Sequence, residues 1–236
     1  MLLWIQWLQA VRCLRPACKR SLTFVWMTLV LMGLCCRSDN LGVTSFARVL
    51  NLRPEAYHRL LHLFHSKALN LDVLTACWVR LCLVLFRAFQ VRQRVVCIAD
   101  GIMAPKEGKC MPAVKLLHQE SQNNTKPEYI MGHSFQALSV LVHSAGGQVA
   151  AVPLVSRIHE GLVFSNRDSK TLLDRLVALL FSITRIWHKS VVLVADAYYA
   201  SAKVGRAVLH WDAASAAGWA LGYHQAKPSH GLCRTA

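Results

Sequence analysis

Val95-Val96-Cys97-Ile98-Ala99-Asp100 and Val191-Val192-Leu193-Val194-Ala195-Asp196 are the stretches on which the reading of this fold turns. Each is a short apolar run closed by an aspartate, and the pattern predicts a buried β-strand. A carboxylate at the mouth of a strand is anchored by the sheet yet reaches solvent, which suits a divalent cation. Two such groups on strands of one sheet match the needs of two-metal phosphoryl transfer. There, ions roughly 3.5–4 Å apart activate the attacking oxygen and stabilise the leaving one. Either aspartate alone reads as a strand-end turn former, common in α/β proteins. Together, at matching strand ends, they make Asp100 and Asp196 the candidate catalytic and metal-ligating residues.

Outward from these runs the elements follow in a definite order. The pattern changes to strands near Arg92-Gln93-Arg94, and the first strand is expected to end at Asp100. A polar, lysine-rich stretch runs from Gly101 to Gly132. Two further strands are expected over Phe135–His143 and Gln148–Arg157, with Gly146-Gly147 as the hairpin signal between them. A helix from Ser169 to about Trp187 places Leu172, Leu173, Leu176, Leu179, Leu180 and Ile183 on one face, with Ser169 as a cap and Asp174 in its first turns. The order strand, strand, strand, helix, strand is the opening of a ribonuclease H-like sheet, in which the first and fourth strands are neighbours. That adjacency would bring Asp100 and Asp196 together.

Residues 1 to about 90 read as helical. Val43, Phe46, Val49 and Leu50 fall at helical spacing. Asn51-Leu52-Arg53-Pro54 reads as a turn, and Pro54 fits the first position of the next helix. That helix is expected to pack through Tyr57, Leu60, Leu61 and Phe64, leaving Arg59, His62 and His65 mostly elsewhere. Two short helices, a tight turn and basic outer residues fit a helix-turn-helix, with Arg48, Arg53 and Arg59 as DNA contacts, and equally a structural bundle. A further apolar helix is expected over Leu71–Phe89, packing through Trp78, Leu81 and Leu85.

Composition narrows the partners. Of 236 residues, 54% are hydrophobic and 17% charged, which describes a core-forming chain. Lys and Arg number 27 against 12 Asp and Glu, a net charge of +15 that favours a polyanion, either nucleic acid or an anionic membrane surface. The nine cysteines include no Cys-x-x-Cys pair, and Cys77, Cys82 and Cys97 lie within apolar runs. They read as small buried residues in a reducing compartment and not as a disulfide framework. Leu22 to Cys36 carries no charge and offers a membrane-anchor alternative. It is shorter than the roughly 20 residues a spanning helix needs, so a buried helix is the preferred reading.

Beyond the first aspartate, Lys106, Lys109 and Lys115 are candidates to neutralise DNA phosphates beside a metal site. A solvated lysine-rich loop is the plain alternative. His118, Glu120, His133, His159 and Glu160 are further polar candidates, each more readily structural than catalytic.

Several segments together carry a family resemblance. Asp100-Gly101-Ile102, Pro105-Lys106-Glu107-Gly108-Lys109 and Met111-Pro112-Ala113-Val114-Lys115-Leu116-Leu117-His118-Gln119-Glu120 resemble bacterial insertion-sequence transposases of the DDE class. So do Asn124-Thr125-Lys126-Pro127-Glu128-Tyr129-Ile130-Met131-Gly132-His133-Ser134, Arg157-Ile158-His159-Glu160-Gly161 and Ala195-Asp196-Ala197-Tyr198-Tyr199-Ala200-Ser201. The resemblance covers most of the chain to about Lys203, including the part from Leu41-Gly42-Val43 onward. It implies a ribonuclease H-like catalytic domain, with Asp100 and Asp196 as the first two acids of the triad and Mg²⁺ or Mn²⁺ in a two-metal site. It also implies cleavage and strand transfer at insertion-sequence ends, with element ends and target DNA as partners. A homo-oligomeric full-length enzyme and a bacterial cytoplasmic, nucleoid-associated location go with it.

The tail departs from that pattern. Asp212 is the one acid after Asp196, and its surroundings do not resemble those of the family's third acid. From Gly205 the sequence is Ala-, Trp- and His-rich and predicts no clear element. A frameshift is the expectation, since one permissible set of codons for 222–233, read one nucleotide later, spells a plausible fifth strand. The resulting organisation is α/β (α+β). A helical region over 1–90 precedes an incomplete ribonuclease H-like mixed sheet with flanking helices over 91–204, and an aberrant tail fills 205–236. With its third acid and fifth strand missing, this chain is expected to lack catalysis. A non-catalytic DNA-binding remnant is the alternative within that reading.

Overall fold

The structure, a computed structural model, describes residues 2–39, 42–106, 111–118, 128–159, 171–196, 199, 204 and 220–223. Through them run α1 (Leu2–Arg12), α2 (Ser21–Cys36), α3 (Val43–Val49), α4 (Glu55–His65), α5 (Leu71–Leu85), β1 (Gln90–Val91) and β2 (Arg94–Pro105). They continue with β3 (Lys115–His118), β4 (Tyr129–His143), β5 (Val149–His159), α6 (Leu172–Trp187), β6 (Val191–Ala195) and β7 (Ala220–Tyr223). The class is mixed α and β, and the chain divides into two compact units, Met1–Cys82 and Leu83–Ala236.

In the first unit, α2 buries Thr23, Met27, Val30 and Gly33, residues three and four apart on one stripe. Val30 joins Phe46 of α3 with Leu60 and Leu63 of α4 in one apolar cluster. Helix α3 ends in a Schellman motif. Asn51 takes φ 47°, its N–H bonds to Arg48 O at 3.0 Å, and the Leu52 N–H bonds to Ala47 O at 2.8 Å. Pro54 stands at the N-cap of α4, one position earlier than expected. The packing face of α4 also differs from expectation: Leu60 and Leu63 are buried while Phe64 is 53% exposed. The sixteen residues of α2 span about 24 Å at the helical rise. No helix among the described residues is long and apolar enough to cross a membrane.

Helix α5 stops at Leu85, short of the expected Phe89. The residues just after it bond β4 instead: the Phe89 N–H reaches Leu141 O at 2.8 Å and the His143 N–H reaches Arg87 O at 2.9 Å. Sheet pairing outweighs helical propensity there, and Leu85 remains exposed while Leu81 and Cys82 are buried.

The second unit is built on one sheet of order β3-β4-β2-β6-β7, with β1 against β2 and β5 against β4. Pairs among β1 to β5 are antiparallel, whereas β2–β6 and β6–β7 are parallel. Strand β4 is fifteen residues long, so one of its edges accommodates two partners. It takes β3 along Tyr129–Gly132 and β5 along Ser134–His143. The hairpin expected at Gly146-Gly147 is present, both glycines at φ 77°, a conformation that costs a residue without Cβ little. Strand β2 does not end at Asp100 but runs on to Pro105, and part of the lysine-rich stretch forms β3.

Helix α6 packs on β4 and β5. Leu176, Leu179, Leu180, Ile183 and Trp187 are buried, as are Val95, Cys97, Ala99, Leu138, Val191 and Leu193 of the strands. Its start is closed by Thr171 in a capping box with Asp174, which replaces Ser169 in that role. Ser169 lies outside the described residues. A second correction concerns the fifth strand. β7, drawn from the tail in which no element was expected, lies parallel to β6 with Val192 opposite Ala220 and Ala195 opposite Tyr223. A four-residue strand adjacent to an apolar parallel strand needs little amphipathic signal of its own, because its backbone bonds to β6 hold it.

Candidate functional site

The two aspartates each follow the last residue paired between β2 and β6. These parallel strands are paired from Val95↔Val191 to Ala99↔Ala195, and the next residues are Asp100 and Asp196. Because the parallel ladder closes at Ala99↔Ala195, both aspartates lie at the same end of the sheet. The last paired residues, Ala99 and Ala195, lie about one strand spacing apart, roughly 4.8 Å. Both aspartates are exposed, while Cys97 and Leu193 behind them are buried at 0% and 1% exposure. Burial pushes the Cys97 thiol up to about 12 and Cys82 up to about 11, so neither supplies a thiolate near neutrality. Asp100 Oδ1 accepts the Gly101 N–H at 2.7 Å.

Beneath this pair lies a buried polar group that sequence reasoning passed over. Gln136 of β4 is fully buried, and its Nε2 donates to the Asp100 carbonyl at 3.0 Å. Its Oε1 accepts the Tyr199 hydroxyl at 3.0 Å, and the Tyr199 N–H donates to the Asp196 carbonyl at 2.9 Å. A glutamine inside the run Phe135-Gln136-Ala137-Leu138 was the available signal, since a polar side chain in a core strand requires partners.

Lys115 is not brought to the aspartates. It pairs with Gly132, and His159 with Ser134, whereas Asp100 pairs with Ala137. Alternation along β4 places Gly132, Ser134 and Gln136 on one face and Ala137 on the other. The Lys115 side chain therefore leaves the face opposite Asp100 and donates from Nζ to His159 Nδ1 at 2.9 Å. An ammonium can only donate, so Nδ1 is the bare nitrogen of that imidazole. Burial pulls the Lys115 amine below its ordinary value. His133, on the Asp100 face, donates from Nε2 to Pro112 O at 2.9 Å. His118 approaches Glu128 at 3.4 Å and meets the Tyr129 ring at a tilt of 58°. Lys106 is exposed on the way out of β2. Lys109, Glu120, Glu160 and Asp212 lie outside the described residues.

Within the helical unit, Arg48, Arg53 and Arg59 are all exposed. Arg53 and Arg59 flank Trp26 and Glu55 around an open depression of about 400 Å³. A neighbouring one of about 360 Å³ is lined by Arg20, Trp26, Arg59 and His62. Guanidinium groups beside an indole are suited to phosphate and base contact.

Two exposed carboxylates at adjacent strand ends fit the way Mg²⁺ is commonly held. It binds through one or two carboxylates together with phosphate oxygens, and keeps several waters. No group of three or more His, Cys, Asp or Glu among the described residues is placed to hold a metal ion. No protein-family model matches the chain, and no curated protein matches it in sequence.

Proposed function

We propose that this chain is transposase-derived: a DNA-binding protein on a ribonuclease H-like frame. Asp100 and Asp196 hold a divalent cation against a DNA phosphate. The β2–β6 register carries this reading, because it puts two distant sequence runs on adjacent parallel strands whose pairing ends just before Asp100 and Asp196. The strand order, three antiparallel strands with a parallel fourth beside the first, agrees with the ribonuclease H arrangement. The motifs around both aspartates and the charge of +15 agree with a DNA substrate. In the complete family enzyme, a bound Mg²⁺ or Mn²⁺ would supply Lewis-acid chemistry at the phosphate for cleavage and strand transfer at element ends. Asp100 and Asp196 supply the two ligands this sequence offers, and Asp212 is the one further acid downstream. The activity proposed for the chain itself is binding of DNA and of a divalent cation through these two carboxylates.

Mn²⁺ binding followed by electron paramagnetic resonance tests the pair. Asp100→Asn and Asp196→Asn should each reduce Mn²⁺ affinity by at least about tenfold, since each removes a directly bound carboxylate. Equal affinity in both variants and the unaltered chain would overturn the assignment. Nicking of supercoiled plasmid in Mn²⁺, lost in both variants, would extend the binding reading to an active nuclease.

A further inference from the structure

We propose that Gln136 and Tyr199 form a positioning tether that sets the separation of the Asp100 and Asp196 carboxylates. The inference rests on the two-aspartate reading and adds the groups that determine its geometry. Ladder pairing between β2 and β6 ends at Ala99↔Ala195, one residue short of both aspartates. Past that point, the link runs Asp100 carbonyl, Gln136 amide, Tyr199 hydroxyl, Tyr199 N–H, Asp196 carbonyl. Its bonds measure 3.0, 3.0 and 2.9 Å. The direction of each bond is forced. A backbone carbonyl accepts only, so the Gln136 NH₂ must face Asp100, which leaves Oε1 to accept the phenol.

The link is shielded from water. Gln136 is 0% exposed and Tyr199 5%. In such surroundings a satisfied network holds one geometry firmly, because each unpaired alternative is costly. Space is also reserved for it: a Cβ at Gly101 would lie 3.0 Å from the Tyr199 hydroxyl, so the residue after Asp100 leaves room for that contact. Neither side chain touches the cation. Alternation directs Gln136 to the face opposite the Asp100 carboxylate, so both act through the backbone. Divalent cations of the Mg²⁺ type tolerate little deviation from octahedral geometry, and backbone placement of two ligands therefore governs affinity.

Mn²⁺ affinity and thermal midpoint, measured together on the full chain, test the tether. Tyr199→Phe retains the ring and removes the hydroxyl, and should weaken Mn²⁺ binding by about tenfold, as loss of groups that orient metal ligands commonly does. Gln136→Leu should weaken it similarly. The double variant Gln136→Leu/Tyr199→Phe removes both polar partners. It should recover part of the thermal midpoint lost in Tyr199→Phe while Mn²⁺ binding stays weak. Affinity that returns with stability in the double variant would make the pair merely structural and overturn the tether. Unchanged affinity in both single variants, with Asp100→Asn impaired, would also overturn it and leave the two-aspartate site standing. Unchanged affinity in Asp100→Asn would overturn both.

Discussion

Arg92 and Gln93 join β1 to β2 with φ angles of 49° and 65°, in a two-residue loop between the paired residues Val91 and Arg94. Two consecutive positive φ values are the mark of a type I′ turn, which favours Asn-Gly. Left-handed backbone costs an ordinary side chain about 1–2 kcal/mol. Arg92→Asn/Gln93→Gly should therefore stabilise the hairpin by about 1 kcal/mol, read as a rise in the thermal midpoint. A lower midpoint would show that the arginine or glutamine side chain outweighs the backbone strain. At this scale much was legible. Asp100 and Asp196 stood out because each ends an apolar run, while Gln136 was hidden because its partners belong to Asp100 and Tyr199, on other segments. Lys115 follows Asp100 closely in sequence, yet strand alternation turns it to the opposite face.

Among elements, α6 depends most on a local signal. Its capping box combines the Thr171 N–H bound to Asp174 Oδ2 at 2.8 Å with the Asp174 N–H bound to Thr171 Oγ1 at 3.3 Å. Thr171→Ala removes the hydroxyl and should cost about 1 kcal/mol, lowering the midpoint by about 2–4 °C in a chain of this size. A change below one degree would mean that solvent caps α6 equally well. The helix was readable because its apolar residues recur at helical period. Its true cap was not, because Ser169 and Thr171 are both acceptable cap residues and contact with Asp174 chooses between them. Strand β2 outlasted its expected end for a related reason. Gly101 to Pro105 lack a core-strand pattern but pair with Gly132–Gln136, so their regularity comes from the neighbouring strand. Gly132 permits that pairing, since a Cβ there would fall 2.4 Å from Ala104 O.

For the whole molecule, the net charge of +15 predicts that the proposed duplex binding is electrostatic and salt-dependent. Binding to a random-sequence duplex, followed by fluorescence anisotropy across a salt titration, should weaken linearly on logarithmic axes. The slope is about −0.9 for each phosphate neutralised. Arg53→Ala and Arg59→Ala should each flatten that slope by about one contact and weaken all sequences alike. A slope near zero would exclude a DNA-binding role for this charge.

Apolar periodicity, the acid at the end of each buried run, the glycine hairpin and the excess of basic charge are properties of residues near one another along the chain, so they could be read without a fold. The adjacency of the strands that lead to Asp100 and Asp196, the concealed Gln136 and the strand recovered from the tail belong to the folded sheet. Register sets them, and a slip of one residue would turn every side chain of a strand to its other face.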